Sequence, residues 1–181
     1  EILNRYLKYP AGTRKLLFTS NHDENTYYGT EYEKYGNAAQ AVAVFTCTWP
    51  GIPLIYSGQE LPNQKRLAFF EKDEIEWTSK VVLQDFYKVL LDFRKSNKAM
   101  HEGASVLILE TTHGDILAYL CRKEEYKVLV LLNFGKENAE FELEHPSTLG
   151  NGIELFSKET VSLKRKQPFS LKIGEYEVDC F

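Results

Sequence analysis

The hydrophobic period of the chain changes near residue 100, and few folds accommodate that change. Before it, strand-like and helix-like runs alternate. Residues 16–20 (LLFTS) form a short apolar strand, and residues 36–49 are apolar on most sides, as in a buried helix. Pro50-Gly51 stops that helix, and residues 52–57 follow as a second apolar strand of the kind covered on both faces. Residues 81–94 place Val82, Phe86, Val89, Leu90 and Phe93 on one helical face, with Thr78 or Ser79 to cap its start. Strand, helix, strand, helix is the parallel βαβα pattern. After residue 100 the period drops to two. Segments 105–111, 116–122, 127–134 and 139–143 are separated by turn-forming residues, and shorter ones follow at 153–156, 161–163, 169–173 and 176–178. Short strands so closely spaced describe an antiparallel sheet or sandwich. With no low-complexity linker between the halves, helix 81–94 is expected to pack directly on that sheet.

Charge and cysteine usage narrow the function. A net charge of −4 with scattered basic residues argues against nucleic acid as a partner. The KRK run at 164–166 is too short to change this and is expected in a solvated turn or strand edge. Cys47, Cys121 and Cys180 are far apart and outside any CxxC pattern, so buried thiols are expected rather than a disulfide. No run approaches the ~18 apolar residues of a membrane span. The first residues lack a signal-peptide pattern and resemble the middle of a helix, so the chain is expected to be part of something longer. Nothing here assigns a compartment.

A parallel sheet of two strands is not a fold, because both strands keep an unpaired edge. The βαβα unit therefore points to the tail of a larger parallel architecture such as a (β/α)8 barrel, whose chemistry sits on loops at the C-terminal ends of the strands. Two polar groups fall at such ends. The stretch FTSNHDEN at 18–25 delivers Asn21, His22, Asp23 and Glu24 after the first strand, and Gly58, Gln59 and Glu60 follow the second.

FTSNHDEN, WPGIPLIYSGQE at 49–60 and the β-rich tail with FSLKIGEYEV at 169–178 together resemble the C-terminal part of α-amylase-family enzymes (glycoside hydrolase family 13), over essentially the whole chain. The second stretch matches a family GxPxxYxGxE segment at Gly51, Pro53, Tyr56, Gly58 and Glu60. The resemblance implies an α/β plus all-β chain: residues 1–97 as the last two β/α units of a (β/α)8 TIM barrel, and 98–181 as an antiparallel β-sandwich, domain C. It implies that His22 hydrogen-bonds hydroxyls of the sugar at the cleavage site. Asp23 would be the third catalytic carboxylate, a transition-state stabiliser that grips the 2- and 3-hydroxyls and favours a distorted ring. Asn21 belongs to the same motif and shapes the loop. Tyr27 and Tyr28 are candidates for stacking on sugar rings, against ordinary surface packing. Glu60 would be a structural position, its carboxylate anchoring the loop by hydrogen bonds to backbone. No cofactor is implied, and no required metal, since family calcium sites draw on upstream segments.

Retaining glycosidases need two carboxyls about 5–5.5 Å apart, a nucleophile and an acid/base. In this family both come from barrel strands four and five, which the chain does not contain, and Glu24 is too close to Asp23 along the chain to substitute. The chain alone is therefore expected to be inactive, and the whole protein to be a retaining α-glucan hydrolase or transglycosylase acting on starch and maltooligosaccharides.

Blander readings stay open. The His–Asp pair also fits a polar turn, with Asn21 or Asp23 capping a short helix. The β half also fits a non-catalytic carbohydrate-binding or structural module, although Tyr119, Tyr126, Phe134, Phe141, Phe156, Phe169 and Tyr176 mostly occupy core-like positions. Trp49 ends an apolar helix and is expected in the core. Trp77, Lys65 and Arg66 lie in a loop that borders a substrate cleft, closes the barrel bottom or seats the β domain. His101, His113 and His145 carry no metal-ligand spacing. With the other barrel strands absent, strand 16–20 has an open edge and helix 36–49 an uncovered apolar face, so self-association of the chain is expected.

Overall fold

The computed structural model describes the chain except residues 1, 7, 11, 79, 145–149 and 165–166. The expected cap Ser79, His145, and the Arg165-Lys166 part of the basic run lie outside the described residues. Helix α1 (Ile2–Tyr6) precedes strand β1 (Leu16–Leu17), helices α2 (His22–Tyr27) and α3 (Glu31–Tyr35), a 3-10 turn and helix α4 (Ala39–Thr48). Strand β2 (Ile52–Pro53), a long loop, helix α5 (Gln84–Ser96) and a second 3-10 turn lead into the β half. Its strands are β3 (Ser105–Thr111), β4 (Ile116–Lys123), β5 (Tyr126–Asn133), β6 (Ala139–Glu144), β7 (Gly150–Glu154), β8 (Thr160–Leu163), β9 (Pro168–Leu171) and β10 (Tyr176–Cys180).

The β half follows the period-two expectation. Among the described residues its eight strands form one antiparallel sheet in the order β8-β7-β10-β5-β4-β3-β6-β9. The sheet folds over itself in the manner of a sandwich, so β4 and β5 are buried on both faces. Ala118, Leu120, Leu129 and Leu131 meet Ala139, Phe141, Leu143, Phe169 and Leu171 of the outer strands. Phe141 and Phe169 are register partners and stack at 5.5 Å. On the other face Tyr119, Val128, Val130 and Leu132 pack under Val44, Cys47 and Trp49 at α4 and Leu90 and Phe93 of α5. Cys47 and Cys121 are free thiols in this interior, and burial raises their pKa values to about 11 and about 12.

The first half departs from expectation. Barrel β/α units are not evident over residues 1–97. The strands expected at 16–20 and 52–57 shrink to two residues each, paired in parallel as Leu16↔Ile52 and Leu17↔Pro53. Ile52 N–H donates to Lys15 C=O at 2.7 Å and Leu54 N–H to Leu17 C=O at 2.8 Å. Leu16 and Ile52 remain about half exposed, so β2 is not covered on both faces. A single neighbour on one edge holds only a short ladder. Helix α5 starts later than expected, because Leu83 is its N-cap without a side-chain bond and the Thr78 hydroxyl bonds Lys80 C=O instead. Val82 therefore precedes the helix and is exposed. The expected uncovered face of α4 is also corrected: every α4 residue is buried or half-buried, because the β half supplies the cover.

Three contacts tie the halves together. Thr48 Oγ1 and Tyr119 Oη lie 2.5 Å apart, and the Trp49 ring meets Tyr119 edge-on at 5.1 Å. The Arg94 guanidinium donates to Cys47 C=O at 2.7 Å, Trp49 C=O at 3.2 Å and Gly51 C=O, so α5 caps the last carbonyls of α4. Gly174 (φ +69°) lies so close to the turn before α4 that a Cβ would be 2.1 Å from Asn37 C=O.

A buried polar network then fixes the far end of β1. Thr19 hydroxyl donates to Glu31 Oε2 at 2.7 Å. Gln59 Nε2 lies within reach of Thr19 Oγ1 at 2.5 Å, Glu31 Oε2 at 2.7 Å and Tyr87 Oη at 3.1 Å, while Gln59 Oε1 accepts from Tyr56 N–H at 2.5 Å. Burial raises the Glu31 pKa, and the Thr19 and Gln59 hydrogen bonds oppose that shift. Replacing this carboxyl by a hydrocarbon takes the acceptor from the buried Thr19 hydroxyl and one of the three partners from Gln59 Nε2. Glu31→Leu is expected to cost about 2–4 kcal/mol in urea unfolding, and Glu31→Gln, which keeps an acceptor, about 1 kcal/mol.

Strand β10 carries a second buried acid. Asp179 lies beside Glu177 and Glu154 on the inner side of the sheet, and its Oδ1 has no hydrogen-bond partner. Burial first, then the Glu177 charge, push its pKa up to about 8. A raised folded pKa means that the folded state holds the proton longer than the unfolded state. The corresponding stability is present below the unfolded pKa near 4 and is lost as pH rises toward 8, at up to ~1.4 kcal/mol per pH unit. Asp179→Asn keeps a donor toward Glu177 without the charge. It is expected to melt higher than the parent at pH 8–9 and to flatten the pH dependence of the melting temperature between pH 5 and 8.

Candidate functional site

The His–Asp pair opens a short helix at the C-terminal end of β1. Asn21 is the N-cap of α2, its Oδ1 accepting from Glu24 N–H at 2.8 Å. Asp23 and Glu24 occupy the first turn, where acidic groups complement the helix dipole. The polar-turn arrangement is thus present, and it explains Asn21 in full. It does not explain the next two side chains. His22 Nε2 and Asp23 Oδ1 are 3.5 Å apart, and their side chains are 71% and 55% exposed. So exposed a pair contributes little to the fold.

The same helix grips the loop that follows β2. Asn25 is buried, its Nδ2 donating to Lys65 C=O at 3.4 Å and its Oδ1 accepting from Leu67 N–H at 2.7 Å. Thr26 hydroxyl donates to Leu67 C=O at 2.7 Å. The loop carries Phe69 against the His22 ring at 6.2 Å and 26°, and against Tyr27 at 5.2 Å. Tyr27 and Tyr28 are exposed, and Tyr27 faces this aromatic cluster. Lys65 pairs with Asp73, and Arg66 Nε donates to Glu33 at 2.9 Å and 3.1 Å. Trp77 is exposed.

Glu60 does not anchor its loop as expected. Its backbone carbonyl accepts from Leu83 N–H at 2.8 Å, while the buried side chain that fixes this segment is Gln59. The amide succeeds because it both donates and accepts, which a carboxylate cannot do. Gln59 and Glu31 were missed as site-positioning residues. The Glu31 helix did carry a signal, the Thr30–Glu33 capping box that starts α3. Asn21, His22, Asp23 and Tyr27 are therefore gathered at one rim with the segment after β2, joined to it through Thr19–Gln59 and Asn25–Leu67.

A cavity of about 590 Å³ lies elsewhere, at the opposite end of the β1–β2 pair, lined by Lys15, Gly51, Arg94, Met100 and Val106 among others. Among the described residues no group of three His, Cys, Asp or Glu side chains is placed to hold a metal ion.

Known proteins resemble the chain in sequence and in fold. The family described as Maltogenic Amylase, C-terminal domain, matches residues 106–178. Alpha-amylase MalA of Haloarcula japonica is 31% identical over 165 residues, covering 83% of this chain and 22% of its own length. Alpha-amylase 2 of Dictyoglomus thermophilum is 26% identical over 142 residues, covering 72% and 24%. The chain thus spans less than a quarter of the length of either relative. A maltogenic α-amylase, AmyB from Thermotoga neapolitana, superposes with a TM-score of 0.76 at 18% identity, covering 96% of this chain and 42% of that one. An α-amylase from Geobacillus thermoleovorans in complex with acarbose gives 0.74 at 13% identity, covering 99% and 42%. Those identities speak for the fold alone. The sequence relatives, the domain match and the shared fold agree that the chain belongs to the α-amylase family, as the C-terminal part of one of its enzymes.

Proposed function

We propose that the whole protein is a retaining α-glucan hydrolase or transglycosylase, to which this chain contributes the third carboxylate. In this reading residues 1–97 complete a (β/α)8 barrel, with β1 and β2 as its last two staves, and residues 98–181 form domain C. The observation that carries it is the shared rim: exposed His22 and Asp23 leave the same end of the parallel pair as the Gln59 segment. In a barrel that end holds substrate. The names of the relatives, both α-amylases, support the same substrate class.

The chemistry follows from the groups. The Asp23 carboxylate accepts hydrogen bonds from two adjacent sugar hydroxyls, and such bonds strengthen as the ring distorts toward the oxocarbenium-like transition state. His22 donates to a hydroxyl of the same sugar from the neighbouring position. Asn21 holds the turn, and Tyr27 and Tyr28 border the sugar. Among the described residues neither a nucleophile nor an acid/base accompanies them, so in this reading the chain holds a sugar without breaking its bond. The module reading loses ground, because Tyr119, Phe141 and Phe169 of the β half are interior rather than a flat exposed platform.

Two measurements test this. The purified chain incubated with starch is expected to release no reducing sugar above the blank, and clear turnover defeats the reading. In the whole protein, Asp23→Asn is expected to lower kcat by about 10²–10³-fold with KM little changed. The open edge of β1, with Leu16 and Ile52 exposed beside it, further supports self-association of the isolated chain. Light scattering is expected to show a mass above that of a monomer.

A further inference from the structure

We propose that Phe69 and Phe70 form an aromatic platform for the apolar face of a glucosyl unit adjacent to the one held by His22 and Asp23. This rests on the glucan reading of the rim and adds to it a second subsite, built by the loop after β2.

The platform is exposed in a way that packing does not account for. Phe70 is 84% and Phe69 40% exposed, in a loop that also carries the charged residues Glu71, Lys72, Asp73 and Glu74. Leaving two phenyl rings in water forgoes burial that a core position would supply. The loop is nevertheless held in place. Asn25 and Thr26 fix Lys65 and Leu67, and Asp73 accepts from Ala68 N–H at 3.0 Å and Glu74 N–H at 2.8 Å while pairing with Lys65. The segment carrying both phenylalanines is thereby clamped on either side, and one of its clamps is the helix that presents His22 and Asp23.

The rings also continue the polar rim. Phe69 lies 6.2 Å from the His22 imidazole and nearly parallel to it, and Phe70 meets Phe69 edge-on at 4.8 Å. The two rings stand at 71° to each other, so the flat apolar surface is the exposed Phe70 ring, and Phe69 links it to the hydroxyl-gripping His–Asp pair; a pyranose, with a C–H face and a hydroxyl edge, matches that arrangement. Among the described residues the cations of this loop are already engaged, Lys65 by Asp73, Lys72 by Glu74 and Arg66 by Glu33, so none of the three is free of a carboxylate for a phosphorylated sugar or another anion. A neutral α-glucan chain passing from the His22–Asp23 rim onto Phe69 and Phe70 satisfies both chemistries.

The test is a titration of the chain with maltoheptaose to about 20 mM, an order above a millimolar site. Saturation-transfer NMR reports which sugar protons touch aromatic rings. Transfer to ring C–H protons, with upfield shifts, is expected. Phe69→Leu and Phe70→Leu, which keep apolar bulk but remove the ring, are expected to weaken binding about fivefold (~1 kcal/mol) with an unchanged melting temperature, and Phe70→Trp to retain it. If the Leu variants bind like the parent while His22→Ala and Asp23→Ala weaken binding, the platform is overturned and the rim reading stands. Absence of any ring-proton transfer in the parent also overturns the platform. The rim itself is judged separately, by Asp23→Asn turnover in the whole protein.

Discussion

Tyr119 is the contact on which the first half of the chain depends. It is fully buried, its hydroxyl meets Thr48 at the last turn of α4, and its ring packs edge-on against Trp49. A parallel pair of two-residue strands supplies too few hydrogen bonds to hold a helix and two loops in place. The holding is done from below, by the doubly buried β4–β5 face. Val44, Cys47 and Trp49 each bury nearly all of their surface there, and a full side chain of this kind contributes roughly 1.5–3 kcal/mol. Arg94 closes the arrangement by taking up carbonyls at the end of α4 and of the turn after it.

From that seat the geometry passes upward to the rim. Gly51 lets the chain leave α4 and lie against β1, where a Cβ would sit 2.7 Å from Lys15 C=O. The segment after β2 then reaches Gln59, which meets Thr19 and Glu31 in a buried network. Such a network is costly if one partner is missing and rigid when all are present. Labour at the rim is divided accordingly. Thr19, Asn25, Glu31 and Gln59 are buried and fix positions, whereas His22, Asp23, Tyr27, Tyr28 and Phe70 are exposed and add little to the fold. Groups so placed are available to a ligand.

Much of the β half was legible because its strands announce themselves through alternation and through turn residues between them. Residues 127–133 were the exception: KVLVLLN is nearly continuous in apolar residues, which marks burial on both faces. The strands at 16–20 and 52–57 are shorter in the structure than their apolar runs suggest. An apolar run does not report the presence of a ladder partner: Leu16 and Ile52 are paired yet half exposed, whereas Thr19 and Ser20 are buried without belonging to a strand. The start of α5 is not legible locally, because Leu83 caps it without a side-chain bond and no Ser or Thr marks the boundary.

The amino-acid sequence by itself determined the order of the elements, the position of the Asn21–Asp23 motif at the exit of the first strand, and the sandwich character of the second half. These are local properties, set by period, by turn residues and by the capping chemistry of a few neighbours. Only the tertiary structure decided that Gln59 rather than Glu60 anchors the second loop, that Glu31 sits buried 12 residues from Thr19 and 28 from Gln59, and that Phe69 lies beside His22. Burial and hydrogen-bond partnership depend on which distant segments come together, and a residue carries no trace of that in its own type or in the few residues around it.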